Sequence, residues 1–295
     1  MELKNISGSV HYIPNSSNIG VIIKNKNCVL IDTGLDSDTG KKILKLLEEK
    51  NLCLKAIINT HAHADHFGGN KIIKEKTNCL VCAPKIEACI IENPILESLL
   101  FFSGAEPLPE LKNKFLMAEP CEVDKIIENG TLEIENFSMQ ITNLPGHSIN
   151  QIGIIFEGVI FCGDSFFSKE TIEKHKIPFF VNIEETKKTL NSLKETNYST
   201  YAPSHVDPQN NVKEIINENL KTIEKIENAI LEILQQSKST EQTLKQLARN
   251  FKIKITSVQQ YYLLKTSLLA YLEYLSKNKR IKTEIENNQL QWIRL

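Results

Sequence analysis

Apolar and polar positions in the first ninety residues follow two different periods. Residues 9–13 and 19–23 are short apolar runs separated by Pro14-Asn15-Ser16-Ser17-Asn18, the signature of two hairpin strands, and 28–31 reads as a third strand. Over 38–50 the period lengthens, and Ile43, Leu44, Leu46 and Leu47 fall on one side of a helix whose other faces carry Lys and Glu. A buried strand over 54–59, a helix over 70–76 and a strand over 79–83 follow, with Pro84 placed to open another short helix. Residues 92–120 break the alternation: Pro94, Pro107, Pro109 and Pro120 surround Leu99-Leu100-Phe101-Phe102. This stretch reads as an insertion, serving either as a wall over a site or as a packed excursion or subunit contact. Short strands resume at 123–127, 132–134, 139–142, 152–156 and 159–162, then a helix at 184–196 and a strand at 198–203. Sheet, helices, sheet, helices in that order predicts two sheets packed face to face with helices outside.

Past residue 211 the pattern changes. A strongly periodic helix is predicted over 212–236, then helices over 240–251 and 256–277 with Thr240 and Thr256 as expected N-caps. Alternation on either side of Asn287-Asn288 predicts a closing hairpin. Three helices and a two-stranded wing predict a small winged-helix-like domain over 212–295, attached to a catalytic domain over 1–211. Charge marks the same division. The chain carries −1 overall, yet 237–295 hold 11 Lys+Arg against 4 Asp+Glu, which leaves −8 on the rest. Lys277, Lys279, Arg280 and Lys282 cluster where the wing begins, a pattern that suits RNA or another polyanion. Tyr261, Tyr262, Leu263, Leu264, Leu268, Leu269 and Leu272 make the preceding helix apolar, which favours packing on the catalytic domain or a homodimer contact.

Composition excludes little beyond membranes. Hydrophobic residues at 41% and charged residues at 24% are ordinary for a folded domain, and no apolar run approaches the roughly 20 residues of a membrane span. The start has no basic and apolar leader pattern, so a cytoplasmic location is expected. Seven cysteines, an odd number set among apolar neighbours, argue against a disulfide framework, and Cys79 and Cys82 read as buried rather than metal-binding.

Candidate chemistry is concentrated. Three of only seven histidines lie in His61-Ala62-His63-Ala64-Asp65-His66, just after an apolar strand. Three further strands end in single ligand-type residues: His147 after Pro145-Gly146, Asp164 after Gly163, and His205 after Ser204. Imidazole and carboxylate ligands of this number suffice for two divalent ions if one carboxylate bridges, zinc first and iron or manganese also suited. His175, flanked by Lys174 and Lys176, reads as a solvated residue with a possible substrate contact, and His11 as a strand residue.

The HxHxDH stretch at 61–66, followed by GH, GD and a late SH, resembles the metallo-β-lactamase superfamily over about residues 9–210. The resemblance implies an α/β fold of the αββα sandwich type. It implies that His61, His63 and His147 hold one ion, Asp65, His66 and His205 the other, and that Asp164 bridges. Asp32-Thr33-Gly34 matches the family's DTG turn, so Asp32 is expected to support the histidine loop, and Asp65 to orient the attacking group. The implied activity is hydrolysis of a small ester, thioester or lactone through a metal-bridging hydroxide. The superfamily also includes persulfide dioxygenases, which share the wording of 63–66. A metallo-β-lactamase domain followed by a winged helix resembles the lactamase-β-2-like group, some of whose members are endoribonucleases. An endoribonuclease or other phosphodiesterase is therefore one alternative and a non-catalytic metal-binding module another. Phe101, Phe102, Phe166, Phe167 and His175 are the candidates for a substrate pocket.

Overall fold

The structure is a computed structural model that describes residues 1–295. The first sheet has seven strands whose spatial order is their chain order: β1 (Lys4–Ser7), β2 (Val10–Ile13), β3 (Ile19–Lys24), β4 (Asn27–Ile31), β5 (Cys53–Ile58), β6 (Leu80–Pro84) and β7 (Lys125–Ile127). The first four are antiparallel neighbours, as short hairpin connections require. From β4 to β7 the pairing is parallel. Parallel strands need crossovers, and helices α1 (Ser37–Glu49), α2 (Ala64–Phe67), α3 (Asn70–Thr77), α4 (Lys85–Glu92) and α5 (Ile95–Phe101) lie in those connections. The C-terminal ends of β4 and β5 consequently open on one edge of the sheet, where ligands collect in α/β folds.

The second sheet, in the order β12-β11-β10-β9-β8, is built from β8 (Gly130–Ile134), β9 (Phe137–Asn143), β10 (Ile152–Phe156), β11 (Val159–Gly163) and β12 (Thr200–Pro203). Between β11 and β12, which pair in parallel, run α6 (Lys169–His175) and α7 (Ile183–Glu195). Alternate residues of both sheets meet between them: Ile22, Val29, Ile31 and Ile58 from one side, Met139, Ile141, Ile154 and Phe161 from the other, all essentially without exposure. This is the sandwich that the order of elements predicted.

Helix α1 shows why the sequence folds locally as it does. The Asp36 carboxylate accepts from the Thr39 backbone N–H at 3.1 Å, capping the helix, and Ile43, Leu46 and Leu47 face the sheet. The chain then passes so close to the later histidine loop that a side chain on Gly68 would stand 1.9 Å from the Leu35 carbonyl oxygen. Only glycine fits there.

The C-terminal part consists of α8 (Lys213–Ile233), a two-residue strand β13 (Lys238–Ser239), α9 (Thr240–Asn250), α10 (Val258–Lys277), β14 (Ile281–Glu286) and β15 (Gln289–Arg294). The last three strands form a sheet in the order β13-β15-β14. Asn287 and Asn288 both adopt left-handed backbone angles, φ 50° and 61°, the requirement of a two-residue hairpin turn. Two expected caps shift by one residue. Ser239 caps α9 in a reciprocal arrangement with Gln242, and Ser257 caps α10 by accepting from the Gln260 N–H. A threonine in the first helical position cannot cap its own helix. Helix α6, which buries no residue, and the short α5 carry no periodic signal and were not expected.

Apolar contact crosses the whole chain. One cluster of 29 buried residues runs from Leu144 and Phe166 through Leu190 and Leu193 of α7 and Ile223 and Ile230 of α8 to Leu268, Tyr271, Leu272 and Trp292. The apolar face of α10 is therefore covered within the chain, with Leu269 its exposed large residue. Residues 92–120 fold onto the same helix: Phe101, Leu111 and Leu116 form a small cluster with Tyr262 and Leu263. Most basic residues near the wing have carboxylate partners, Lys277 with Glu184, Arg280 with Glu227 at 3.8 Å, and Lys282 with Glu284 at 2.5 Å. No helix is long and apolar enough to cross a membrane, and all seven cysteines are free.

Candidate metal centre

Four loops and helix α2 converge at the open edge of the sandwich. His61 and His63 follow β5, Asp65 and His66 lie on α2, His147 follows β9, Asp164 follows β11 and His205 follows β12. Their ligand atoms fall into three groups within 4.8 Å: His61, His63 and His147; His61, His66 and Asp164; Asp65, His66 and His205. Nδ1 of His63 lies 3.0 Å from Nε2 of His61 and 2.9 Å from Nε2 of His147. A tetrahedral zinc site with nitrogens at about 2.0–2.1 Å has edges of roughly 3.3 Å, so this trio is near the size of one face. Asp164 stands between the halves, Oδ2 at 3.4 Å from His147 Nε2 and 3.0 Å from His205 Nε2, and Oδ1 at 3.5 Å from His66 Nε2. Asp65 Oδ2 closes the second group at 3.4 Å from His205 and 3.7 Å from His66.

The outer ring nitrogens decide what the inner ones can do. His147 Nδ1 donates to the Phe179 carbonyl at 2.9 Å and His205 Nδ1 to the Ser16 carbonyl at 2.7 Å. His66 Nδ1 donates to Asp32 Oδ2 at 2.8 Å. The Thr60 hydroxyl donates to the same oxygen at 2.8 Å, so it accepts from His61 Nδ1 at 3.0 Å. Each of these four rings has its outward nitrogen occupied, which turns its other nitrogen toward the common centre. Outer acceptors of this kind fix the tautomer and orientation of metal-binding imidazoles. Asp164 Oδ1 is buried with no hydrogen-bond donor. Ligand-type nitrogens and carboxylate oxygens that converge this closely, one of the oxygens buried without a partner, are the arrangement a cation satisfies, so the residues present fit metal ions.

Behind the ligands stands a polar layer that sequence reading found only in part. Asp32, at φ 62°, accepts from the Thr60 N–H at 2.8 Å and so ties the DTG turn to the histidine loop. Glu87 on α4 was not expected. Fully buried, it accepts from the Ala62 N–H at 2.9 Å, the Asn150 N–H at 2.9 Å and the Ser148 hydroxyl at 2.8 Å, joining the His61–His63 loop to the His147 loop. Gln151 was also missed. Its Oε1 accepts from the Asp164 N–H at 3.1 Å while its amide donates to the Leu144 carbonyl and Ser165. No local pattern announces either residue: the partners of Glu87 lie 25 to 63 residues away, and those of Gln151, 7 to 14 residues away, meet it only once β9, β10 and β11 pair.

Electrostatics divide the histidines. Burial pushes His61, His63 and His147 below the ordinary imidazole value and keeps them neutral. Burial opposes protonation of His66 too, but Asp65, Asp164 and Asp32 outweigh it and hold that ring well above the usual value. Asp164, against burial, lifts His205 to about 9. Asp164 itself, despite burial, is held well below the carboxylate range by His205 and His66. Glu97, on α5, has Oε1 3.6 Å from His63 Nε2, and burial, with Glu87 and Asp65 nearby, pushes it up to about 8.

A cavity of about 690 Å³ opens from His147 and His205. Phe167 and His175 line it, together with Phe179. Phe101 lines a smaller cavity of about 90 Å³ beside His63 and Glu97. Phe166 is instead part of the main apolar cluster, and Phe102 stacks on Tyr262 with ring centroids 5.4 Å apart; neither lines these cavities. Phe102 follows α5 and faces Tyr262 of α10. His11 lies away from the site, bonded to Asn5 and the Ser9 carbonyl.

A family model described as the metallo-beta-lactamase superfamily matches residues 12–205. A hydroxyacylglutathione hydrolase of Pelagibacter ubique is 30% identical over 151 residues, 50% of this chain and 50% of that protein. A probable metallo-hydrolase of Methanocaldococcus jannaschii is 31% identical over 156 residues, 52% of this chain and 68% of that one. The chain thus spans about half the length of the first of these relatives. In fold, a metallo-beta-lactamase family protein of Thermus thermophilus superposes with a TM-score of 0.74 at 20% identity, covering 97% of this chain and 99% of that one. A beta-lactamase domain protein of Burkholderia ambifaria gives 0.75 at 15% identity, covering 100% and 94%. The shared fold therefore includes the C-terminal elements.

Proposed function

The chain belongs to the metallo-beta-lactamase superfamily, and from that premise we propose that it is a dinuclear metal-dependent hydrolase of a small ester, thioester or lactone. One observation carries the reading most of the way: four imidazoles with their outward nitrogens occupied turn their inner nitrogens toward one centre, beside a buried Asp164 oxygen with no hydrogen-bond partner. His61, His63 and His147 would hold the first ion, Asp65, His66 and His205 the second, and Asp164 would serve both. Zinc suits this nitrogen-rich set best, ahead of iron and manganese. Such ions, when bound, supply Lewis acidity and bring the pKa of a water from about 16 toward about 7.

The protein's own residues do the rest. Asp32, Thr60, Phe179 and Ser16 fix the ring orientations, so the site is built before substrate arrives. Asp65 is a third exposed and makes no backbone hydrogen bond, which leaves it able to orient the attacking water and take its proton. Attack places the water oxygen on the acyl carbon, the C–S or C–O bond breaks, and the departing thiolate or alkoxide leaves with a proton. Phe167 and Phe179 flank the approach and limit bulk water.

We read residues 212–295 as a winged-helix-like unit that completes the wall of this cavity. The ion pairs made by Lys277, Arg280 and Lys282 weaken the case for RNA on the wing, and the internal burial of α10 weakens the case for a homodimer through it. Zinc-loaded protein assayed on a panel of esters, thioesters and lactones tests the reading. Turnover of at least one member, abolished by His63→Ala, is expected; bound metal with no turnover on any member would leave a non-catalytic module.

A further inference from the structure

The cavity beside His147 and His205 has an uneven charge. Its eighteen lining residues include Lys174 and Lys176 from the end of α6 and Lys252 and Lys254 from the loop between α9 and α10, and not one Asp or Glu. None of these four lysines is within ion-pair distance of any carboxylate, although the chain holds 36 Asp+Glu and pairs Lys265, Lys277 and Arg280 close by. Four uncompensated cations around one concavity repel one another and focus a positive potential on it. Their backbone is defined rather than loose. Lys252 takes a left-handed conformation, φ 52°, after the end of α9, the Ile253 N–H returns to the Ala248 carbonyl at 2.8 Å, and Lys176 Nζ donates to the Lys252 carbonyl at 3.2 Å. That last bond joins the two cationic segments.

We propose that this end of the cavity is a phosphate-binding subsite, and that the molecule hydrolysed at the metal end carries a phosphate group. The inference rests on the hydrolase reading for the reaction and on the lysines for the class of substrate. Phosphate fits better than carboxylate for two reasons. The cavity has no arginine to offer a planar fork to either anion, and lysines act as point charges, a common way of holding the several oxygens of a phosphate. Four cations also exceed what a single negative charge calls for, whereas a phosphate monoester carries close to two. The volume, about 690 Å³, lies within the range of small-molecule sites. The C-terminal unit thus acquires a role in substrate choice, since Lys252 and Lys254 belong to it.

The test compares thioesters that differ only in phosphate: S-acetyl 2-mercaptoethanol against S-acetyl 2-mercaptoethyl phosphate, and S-acetyl pantetheine against S-acetyl phosphopantetheine. S-acetyl 3-mercaptopropionate is the carboxylate control. In at least one pair the phosphorylated member is expected to show a KM at least tenfold lower with kcat unchanged. The Lys252→Gln/Lys254→Gln variant should erase that advantage and leave the neutral member's kinetics and the metal content unaltered. Equal KM values in both pairs, an advantage that survives the double variant, or equal preference for the carboxylate would overturn the subsite. So would lysine-dependent cleavage of single-stranded RNA together with indifference to phosphate on the thioesters. Calorimetric titration of the full chain with inorganic phosphate separates the two readings: binding weakened tenfold or more by the double variant supports the subsite even where no thioester is hydrolysed, and binding equal in both proteins removes it.

Discussion

Glu87 offers a sharp test of how the site is held together, because its carboxylate serves both ligand loops without touching a ligand ring. It accepts from Ala62 N–H and Asn150 N–H at 2.9 Å each and from the Ser148 hydroxyl at 2.8 Å, all in a buried setting. Glu87→Ala strands three donors. A buried polar group left unpaired costs about 1–3 kcal/mol, so the expected loss is on the order of 3–6 kcal/mol in unfolding free energy, with some relief if water enters. Glu87→Gln keeps the volume but turns an NH₂ toward one donor, and should lose about 1–3 kcal/mol. Both variants should weaken metal binding by about 10–100-fold, the usual effect of removing a group that orients ligands, since the relative placement of His61, His63 and His147 depends on this bridge. Denaturant unfolding of metal-free protein gives the first quantity and competition with a chromogenic chelator the second. An alanine variant within about 1 kcal/mol of the parent and with unchanged metal affinity would refute the role assigned to Glu87.

Three further outcomes are expected. Asp32→Asn tolerates the left-handed backbone at this position, so the fold should persist while His66 loses its acceptor; metal affinity and turnover should each fall by about 10–100-fold, read by the same chelator assay and by kinetics. With His205 lifted to about 9 and His66 also raised, an ion entering the second half of the site must displace one proton from each ring, so its apparent affinity should rise by about a hundredfold per pH unit between pH 6 and 8, with proton release measurable in weakly buffered solution. A pH-independent affinity would contradict the protonation assigned to these rings. Glu97 has its pKa raised from 4.5 to about 8, so the folded state holds its proton more tightly than the unfolded one; its contribution is complete below about pH 4.5 and is lost as pH rises to about 8. Glu97→Gln should therefore flatten the decline of metal-free stability across that window, by at most about 5 kcal/mol, and identical pH profiles for parent and variant would speak against it.

How much of this was legible beforehand depended on distance along the chain. The hairpins, α1 and the HxHxDH stretch were readable because each is a local pattern, and the strand-end positions of His147, Asp164 and His205 were readable because an apolar run stops just before each. Glu87 and Glu97 were not, since each acts on a loop brought to it only by the crossovers of the sandwich, and Gln151 was not, since it reaches Asp164 only across the paired ends of β10 and β11. Phe179 had no signal at all; its carbonyl accepts from His147 while its ring packs edge-on against His147 and His63. The basic tail misled for a related reason. Net charge counts lysines without their partners: Glu184 and Glu227 come up against Lys277 and Arg280, while Lys252 and Lys254, without carboxylate partners, join Lys174 and Lys176 around the cavity. Phe166 and Phe167 show the same limit at one-residue scale: both belong to the apolar cluster, yet only Phe167 also reaches the cavity.

The most direct measurement is metal content and turnover in a single preparation. Elemental analysis of zinc-loaded protein, paired with hydrolysis of an acyl thioester, should give about two ions per chain and activity in the wild type, and fewer ions with at least about a hundredfold less turnover in His63→Ala and in Asp65→Ala. A chain that holds no more than a trace of metal, or that keeps its turnover when either side chain is removed, would contradict the two-ion hydrolytic site.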